Sequence, residues 1–296
     1  MLSLTERLRL ALFEDLAQRG DVTSQALVPA DKIAQATLLA KADGVLCGVE
    51  LLSQIFTLAE EIVCGPRAKK TVRVKILKKD GAHIAKCDEV ATIRGNARAL
   101  LAGERVALNL VCHLSGIATQ TAQYVAAVAH THAKILDTRK TTPLWRDLEK
   151  YAVICGGGEN HRHGLHDMIL IKDNHLALWG ARDPAGAVNV ARAKFPNLPI
   201  EIEVVNLAGL ESVCRHSAPD FVLLDNFSLK NLRAAVNWRK KNCAPKKKSK
   251  HPTLEASGGV TLETLTAIAE TGVERISIGA LTHSACALDL SLELKI

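Results

Sequence analysis

The sequence predicts an α/β protein. A small N-terminal α/β sandwich occupies residues 1–115, an incomplete α/β barrel of about six strands occupies 116–282, and a tail, 283–296, packs back on the first part. Three observations carry this reading. Short runs of period two, such as TVRVKIL at 71–77, crowd the first hundred residues. From Ala97 the period becomes helical, through ARALLAGERVALNLVCHL. Beyond about residue 116, six short apolar runs alternate with helical stretches, as in a parallel sheet covered by helices. A doubly wound open sheet fits the same periodicity and is the rival architecture.

Residues 4–19 read as a first amphipathic helix, ended by a turn at Gly20-Asp21-Val22-Thr23. Strands follow at Ala36–Ala40, Val45–Gly48, Thr71–Leu77 and Val90–Ile93, with a helix over Leu51–Ala59. The long helix from Ala97 is expected to break at Ser115-Gly116 and resume as IATQTAQYVAAVAH. Its polar exception is Glu104-Arg105; a buried arginine there needs a partner, either internal or from a neighbouring chain or ligand. The six later strands are Lys134–Asp137, Met168–Ile171, Ile200–Val204, Phe221–Leu224, Leu254–Ala256 and Arg275–Ile278. The helices between them include Ala185–Ala193, Leu207–Cys214, Leu229–Arg239 and Leu262–Glu270.

Composition narrows the classes. With 48% hydrophobic and only 3% aromatic residues, the core must be aliphatic. No uninterrupted apolar run approaches the roughly 20 residues of a membrane span, and the N-terminal stretch has charges every few residues, so a cytoplasmic protein is expected. The eight cysteines (47, 64, 87, 112, 155, 214, 243 and 286) show no zinc-knuckle or redox spacing, and neither disulfides nor structural zinc are expected. The net charge of +7 is local: nine Lys or Arg and no acid lie between Asn226 and Leu254, so the rest of the chain is slightly acidic. The core of that basicity, Lys246-Lys247-Lys248-Ser249-Lys250, flanked by Pro245 and Pro252, reads as a solvated loop. An RNA-binding protein using residues 239–250 is the non-enzymatic rival, and nucleic acid is not the expected partner.

The chemistry concentrates in Leu136–His175, LDTRKTTPLWRDLEKYAVICGGGENHRHGLHDMILIKDNH. Thr138-Arg139-Lys140 ends one apolar run, His161-Arg162 follows the triple glycine Gly156-Gly157-Gly158, and Lys172 ends another run. Five potential cations at the ends of elements can converge, and a converged cluster needs an anion. Lys172 could instead be a Schiff-base lysine. In the strand IEIEV, Glu201 and Glu203 face one way, and Asp225 follows another strand; inward carboxylates require a cation, a metal or a hydrogen-bonding sugar. A buried ion pair to one of the cations is the plain alternative. Ser257-Gly258-Gly259 and Gly279-Ala280-Leu281 each follow a strand, and paired small-residue loops late in a barrel suit phosphate.

The motifs DTRKTTP, LEKYAV, GGG with NHR just after it, and LIKDNH resemble the quinolinate phosphoribosyltransferase family. The likeness runs from GDVT near residue 20 to ISIGALTHS at 276–284. It implies phosphoribosyl transfer from phosphoribosyl pyrophosphate to quinolinate with loss of CO₂, giving nicotinate mononucleotide and pyrophosphate in NAD biosynthesis. It also implies that Arg105, Thr138, Arg139, Lys140, His161, Arg162 and Lys172 hold substrate, with Lys140 beside the reacting groups. Glu203 and Asp225 would bind ribose and, through water, Mg²⁺. A homodimer would donate Arg105 across its interface. A related phosphoribosyltransferase for another aromatic acid is the enzymatic alternative. The sequence departs from the family at Leu144-Trp145, where a glycine and a smaller residue usually stand, and in the lysine-rich insert at 244–251.

Overall fold

A computed structural model describes residues 2–67, 69–180, 183–243 and 251–295. The lysine-rich segment 244–250 read as a solvated loop lies outside the described residues. In chain order the first elements are α1 (Leu4–Leu16), α2 (Val22–Leu27), β1 (Ile33–Ala40), β2 (Gly44–Val45), α3 (Leu51–Cys64), β3 (Arg73–Ile76), β4 (His83–Ile84), β5 (Glu89–Asn96) and α4 (Ala97–Ala127). Then come β6 (Lys134–Leu136), α5 (Arg146–Cys155), β7 (Ile169–Ile171), α6 (Asp173–Trp179), α7 (Pro184–Lys194), β8 (Ile200–Val204), α8 (Leu207–His216), β9 (Phe221–Asp225) and α9 (Leu229–Asn242). The last are β10 (Thr253–Ser257), α10 (Leu262–Ala269), β11 (Arg275–Ser277), α11 (Ala280–His283) and β12 (Leu290–Lys295).

The chain forms two compact units, one of Met1–Ala122, Thr142–Gly157 and Ala285–Ile296, the other of Gln123–Thr141 and Gly158–Ser284. The first unit carries an antiparallel sheet in the order β12-β1-β5-β3. Its last strand comes from the tail, β12, whose Leu292 pairs with Leu38 of β1. Helix α1 is fixed by a capping box between Ser3 and Glu6 and buries Leu8 and Leu12. Asp21 does more than sit in a turn. Its carboxylate accepts from the Thr23 and Ser24 amides and starts the short helix α2.

The break expected at Ser115-Gly116 is absent, and α4 runs unbroken across it. The glycine serves close approach: a Cβ at Gly116 would lie 2.1 Å from the Cys286 carbonyl oxygen, so a side chain there would expel the C-terminal segment. Ser115 is buried, and its hydroxyl accepts from the Cys47 amide. By length and composition alone α4 could cross a membrane, but 61% of its most apolar window is buried in the protein, as in a core helix.

By compactness, the first unit reaches along α4 as far as Ala122. Residues 142–157 belong to the first unit because α5 is anchored there. The buried Glu149 carboxylate lies 2.8 Å from His113 Nε2, and Asp147 is held by Arg7 at 2.6 and 2.7 Å.

The second unit is a six-stranded parallel sheet, order β6-β11-β10-β9-β8-β7. Strands β6 and β7 are its two edges, so the barrel is incomplete. All six strands fall on the predicted apolar runs, and their Leu, Ile and Val side chains make its core. The sheet's C-terminal rim thus collects Thr138, Lys172, Asp225, Ser257 and Gly279, each at or just beyond a strand end.

Candidate active site

At that rim of the second unit a cavity of about 690 Å³ opens. Its construction starts at β6. Asp137, fully buried just past the strand, accepts the His161 amide at 2.8 Å through Oδ1. The Glu159 amide donates to Ile135 O, and the Asp137 amide donates to Glu159 O. The segment after the triple glycine therefore pairs along the outer edge of β6, which brings His161-Arg162 beside Arg139-Lys140. Thr138, Arg139, Lys140, His161, Arg162 and Lys172 all line the one cavity.

The cations crowd each other. Burial, and then the positive charge of Arg139, push the Arg162 guanidinium below its usual pKa, while Glu201 and Asp167 act the other way. Arg162 is steadied by a 3.3 Å hydrogen bond to Met168 O. The Lys140 amide donates to Thr138 Oγ1 and the Lys140 carbonyl accepts from Thr282, which fixes that loop against α11.

Beneath the cations lies a network that sequence reasoning used only in part. His161 Nε2 sits 2.8 Å from Glu201 and 3.4 Å from Glu255, and Arg275 Nε is 2.8 Å from Glu255. Both carboxylates are fully buried. Burial opposes a charged His161, but the two carboxylates outweigh it and raise its pKa to about 9. Its Nδ1 accepts the Arg162 amide at 2.7 Å, a bond that full protonation of the ring must displace. Burial pushes Glu201 up; Glu255 is also penalised by burial, yet His161 and Arg275 bring it below the usual carboxylate range. The His161, Glu201 and Glu255 ligand atoms lie within 4.8 Å of one another, a spacing that could hold a metal. Arg275 beside Glu255 already brings positive charge into the group.

Asp225, Ser257, Gly258, Gly259, Gly279 and Ala280 also line the cavity. Gly258 and Gly259 have φ of +96° and +60°, and a Cβ at Gly258 would fall 2.2 Å from Asn226 Oδ1. Three predicted residues stand elsewhere. Leu281 is fully buried below the loop and is not among the lining residues. Glu203 is nearly buried, and its Oε2 accepts from Lys172 Nζ at 2.8 Å; the ion-pair alternative describes its state here. Arg105 is exposed: it lies on α4 in the first unit, beside a shallow cleft of about 370 Å³ that Glu104 and Asp21 also line. The outward turn of the helix there removes the need for an internal partner.

Glu255, Arg275, Asn226 and His283 were missed. Glu255 carried a legible signal, since it lies two residues before Ser257 and so shares its side of the strand. Asn226 has a left-handed φ of +53°, which asparagine tolerates, and donates from Nδ2 to Asp225 at 2.9 Å. Arg275 emerges only from pairing, as the register partner of Glu255.

Leu144, where the resemblance implies a glycine, has a φ of +70°. The backbone keeps the path glycine would take. Arg7 holds the Leu144 carbonyl and stacks 5.2 Å from the Trp145 ring centroid.

Two family profiles match the chain: "Quinolinate phosphoribosyl transferase, N-terminal domain" over residues 21–115 and the corresponding "C-terminal domain" over 117–293. The chain is 42% identical over 291 residues to a nicotinate-nucleotide pyrophosphorylase (carboxylating) of Mycobacterium leprae, covering 98% of this chain and 96% of the relative. It is 38% identical to a probable nicotinate-nucleotide pyrophosphorylase (carboxylating) of Bacillus subtilis, covering 99% and 93%. The solved nicotinate-nucleotide pyrophosphorylase of Francisella tularensis superposes with a TM-score of 0.87 at 35% identity, covering 98% of this chain and 95% of that one.

Proposed function

The chain belongs to the quinolinate phosphoribosyltransferase family, and on that premise we propose how its own residues divide the reaction. The enzyme transfers the phosphoribosyl group of phosphoribosyl pyrophosphate to the ring nitrogen of quinolinate; pyrophosphate and CO₂ leave, and nicotinate mononucleotide remains.

The observation that carries the assignment is the meeting of Arg139, Arg162, Lys172 and His161 on one cavity. A ring with two adjacent carboxylates offers matching negative charge to the cations that face the cavity. Arginine forks suit carboxylates because each can donate two parallel N–H bonds. Lys140, exposed at the rim, reaches toward the bond that breaks and offsets charge on the departing pyrophosphate. The Ser257–Gly259 loop, open because glycine leaves backbone N–H groups uncovered, takes phosphate; Gly279 and Ala280 form the second phosphate loop.

Mg²⁺ fits the donor chemistry of this rim: Asp225 presents a carboxylate to the cavity, and Glu203 stands behind it on the neighbouring strand, releasable from Lys172. Hard cations of this kind bind one or two carboxylates together with substrate phosphates. When bound there, Mg²⁺ neutralises charge on the pyrophosphate. The protein's own Asp225 carboxylate, on the cavity wall, faces the ribose and stabilises the positive charge that grows as its bond to pyrophosphate stretches. Once the ring nitrogen is alkylated, its charge receives the electron pair left by departing CO₂. That step requires orientation and exclusion of water, which the cation cluster and the apolar Leu170 and Leu223 of the wall provide.

We assign Arg105 to the active site of a second copy in a homodimer; its exposure on the long helix α4 supports this. We place the enzyme in the cytoplasm, a reading its eight free cysteines support.

The test is incubation with phosphoribosyl pyrophosphate, Mg²⁺ and either quinolinate or nicotinate. CO₂ released in step with nicotinate mononucleotide from quinolinate is expected. Equal turnover of nicotinate would point to a different aromatic acid.

A further inference from the structure

A second cluster of chemically active side chains lies wholly in the first unit, and none of its members lines the cavity. Cys47 sits between β2 and α3, Asp80 in the turn between β3 and β4, and Cys155 at the last position of α5. One ligand atom from each lies within 4.8 Å of the other two. The two thiols lie side by side, and Tyr151, one turn back on α5, stands next to Cys155.

The frame around them is fixed. Ser115 accepts the Cys47 amide at 2.9 Å and donates to its carbonyl at 3.2 Å; Asp80 Oδ1 accepts the Val49 amide at 3.0 Å; the Gly81 amide donates to Leu46 O at 2.8 Å. Asp80 Oδ2 is buried and has no hydrogen-bond partner among the described residues. A buried carboxylate oxygen left without a donor is costly, and two neighbouring thiols supply no positive charge to offset it.

We propose that Cys47, Cys155 and Asp80 form a binding site for a thiophilic divalent cation of the zinc class, with Tyr151 as an outer partner of Cys155. Tetrahedral zinc has Zn–S of about 2.3 Å and Zn–O of about 2.0–2.2 Å, which sets its ligand atoms about 3.5–3.8 Å apart, within side-chain rotation of the observed spacing. Binding expels the two thiol protons and neutralises the orphaned carboxylate. Three protein ligands leave a fourth position for water. The cation would tie the C-terminus of α5 to the β2–α3 and β3–β4 connections, a staple within the first unit. A Cys47–Cys155 disulfide would leave Asp80 uncompensated.

The full chain, freed of metal by chelator and kept reduced, should be titrated with cobalt(II). The site predicts one cobalt per chain with a sulfur-to-cobalt charge-transfer band in the near ultraviolet, displaced by zinc. Because Asp225 and Glu203 offer only oxygen, that band belongs to the cysteines. Cys155→Ser should abolish it. Asp80→Asn should weaken binding at least about tenfold, no less than the loss of an outer partner costs at a metal site. Zinc should raise the melting temperature of the wild-type chain and leave that of Cys155→Ser unmoved. Cobalt bound without the band, a band that persists in Cys155→Ser, or an unweakened Asp80→Asn would overturn the proposal.

Discussion

Arg139 and Arg162 face the same cavity closely enough that the charge of one weakens the proton affinity of the other. Both reach it from the β6 edge of the sheet, Arg139 just past the strand and Arg162 from the segment bridged in parallel to that strand's outer edge. Two guanidiniums are not held together without a reason, and a doubly charged anion provides one. Replacing Arg162 with Ala should lower kcat/KM for quinolinate about a hundredfold or more, the order seen when a charge-stabilising donor is removed. Arg162→Lys should recover only part of it, because a point charge does not reproduce the fork. Steady-state CO₂ release measures both.

Gly258 and Gly259 separate two demands on the phosphate loop. Gly258→Ala forces a Cβ onto Asn226 at a left-handed φ, so it should cost about 1–3 kcal/mol of stability and raise the KM for phosphoribosyl pyrophosphate. Gly259→Ala meets nothing within 4 Å and bears only the left-handed penalty of about 1 kcal/mol. Denaturant melts of the two variants should rank in that order.

The rim of the barrel was readable in advance because its strands are short apolar runs ending in polar or small residues, each one an abrupt change of composition. What lies beneath the rim was not. Arg275 meets Glu255 only through strand pairing, and Cys47 meets Cys155 only after α5 has folded onto the first unit. Gly116 misled for a physical reason: glycine permits both a chain break and a close approach, and only the position of Cys286 tells which.

His161 supplies a pH signature. Its folded pKa, about 9, lies above its ordinary 6.5. The stability it contributes is therefore fully present below about pH 6.5 and is lost as pH rises through about 9. The whole effect is at most about 3 kcal/mol, reduced by the Nδ1 bond that protonation displaces. Thermal melts should fall from pH 6.5 to 9.5 in the wild type, and the slope should flatten in His161→Gln. A flat wild-type profile would show that His161 stays neutral between the two glutamates.

Leu144 holds a backbone conformation that a leucine adopts at a cost. Leu144→Gly should raise stability by about 0.5–1 kcal/mol, the left-handed penalty less the extra unfolded-state entropy of glycine. Leu144→Ala keeps the penalty and should bring no gain. Arg7→Ala, which removes the clamp on the Leu144 carbonyl and Asp147, should cost about 1–3 kcal/mol. Melting temperatures of the three variants check the set.

The most direct measurement is a calorimetric titration of quinolinate and nicotinate into the wild-type chain and Arg162→Ala. If the cluster exists for a dicarboxylate, quinolinate should bind the wild type at least about a hundredfold more tightly than nicotinate, equivalent to about 2.7 kcal/mol, and Arg162→Ala should lose most of that preference. Equal affinity for the two acids, or a preference untouched by the substitution, would contradict it.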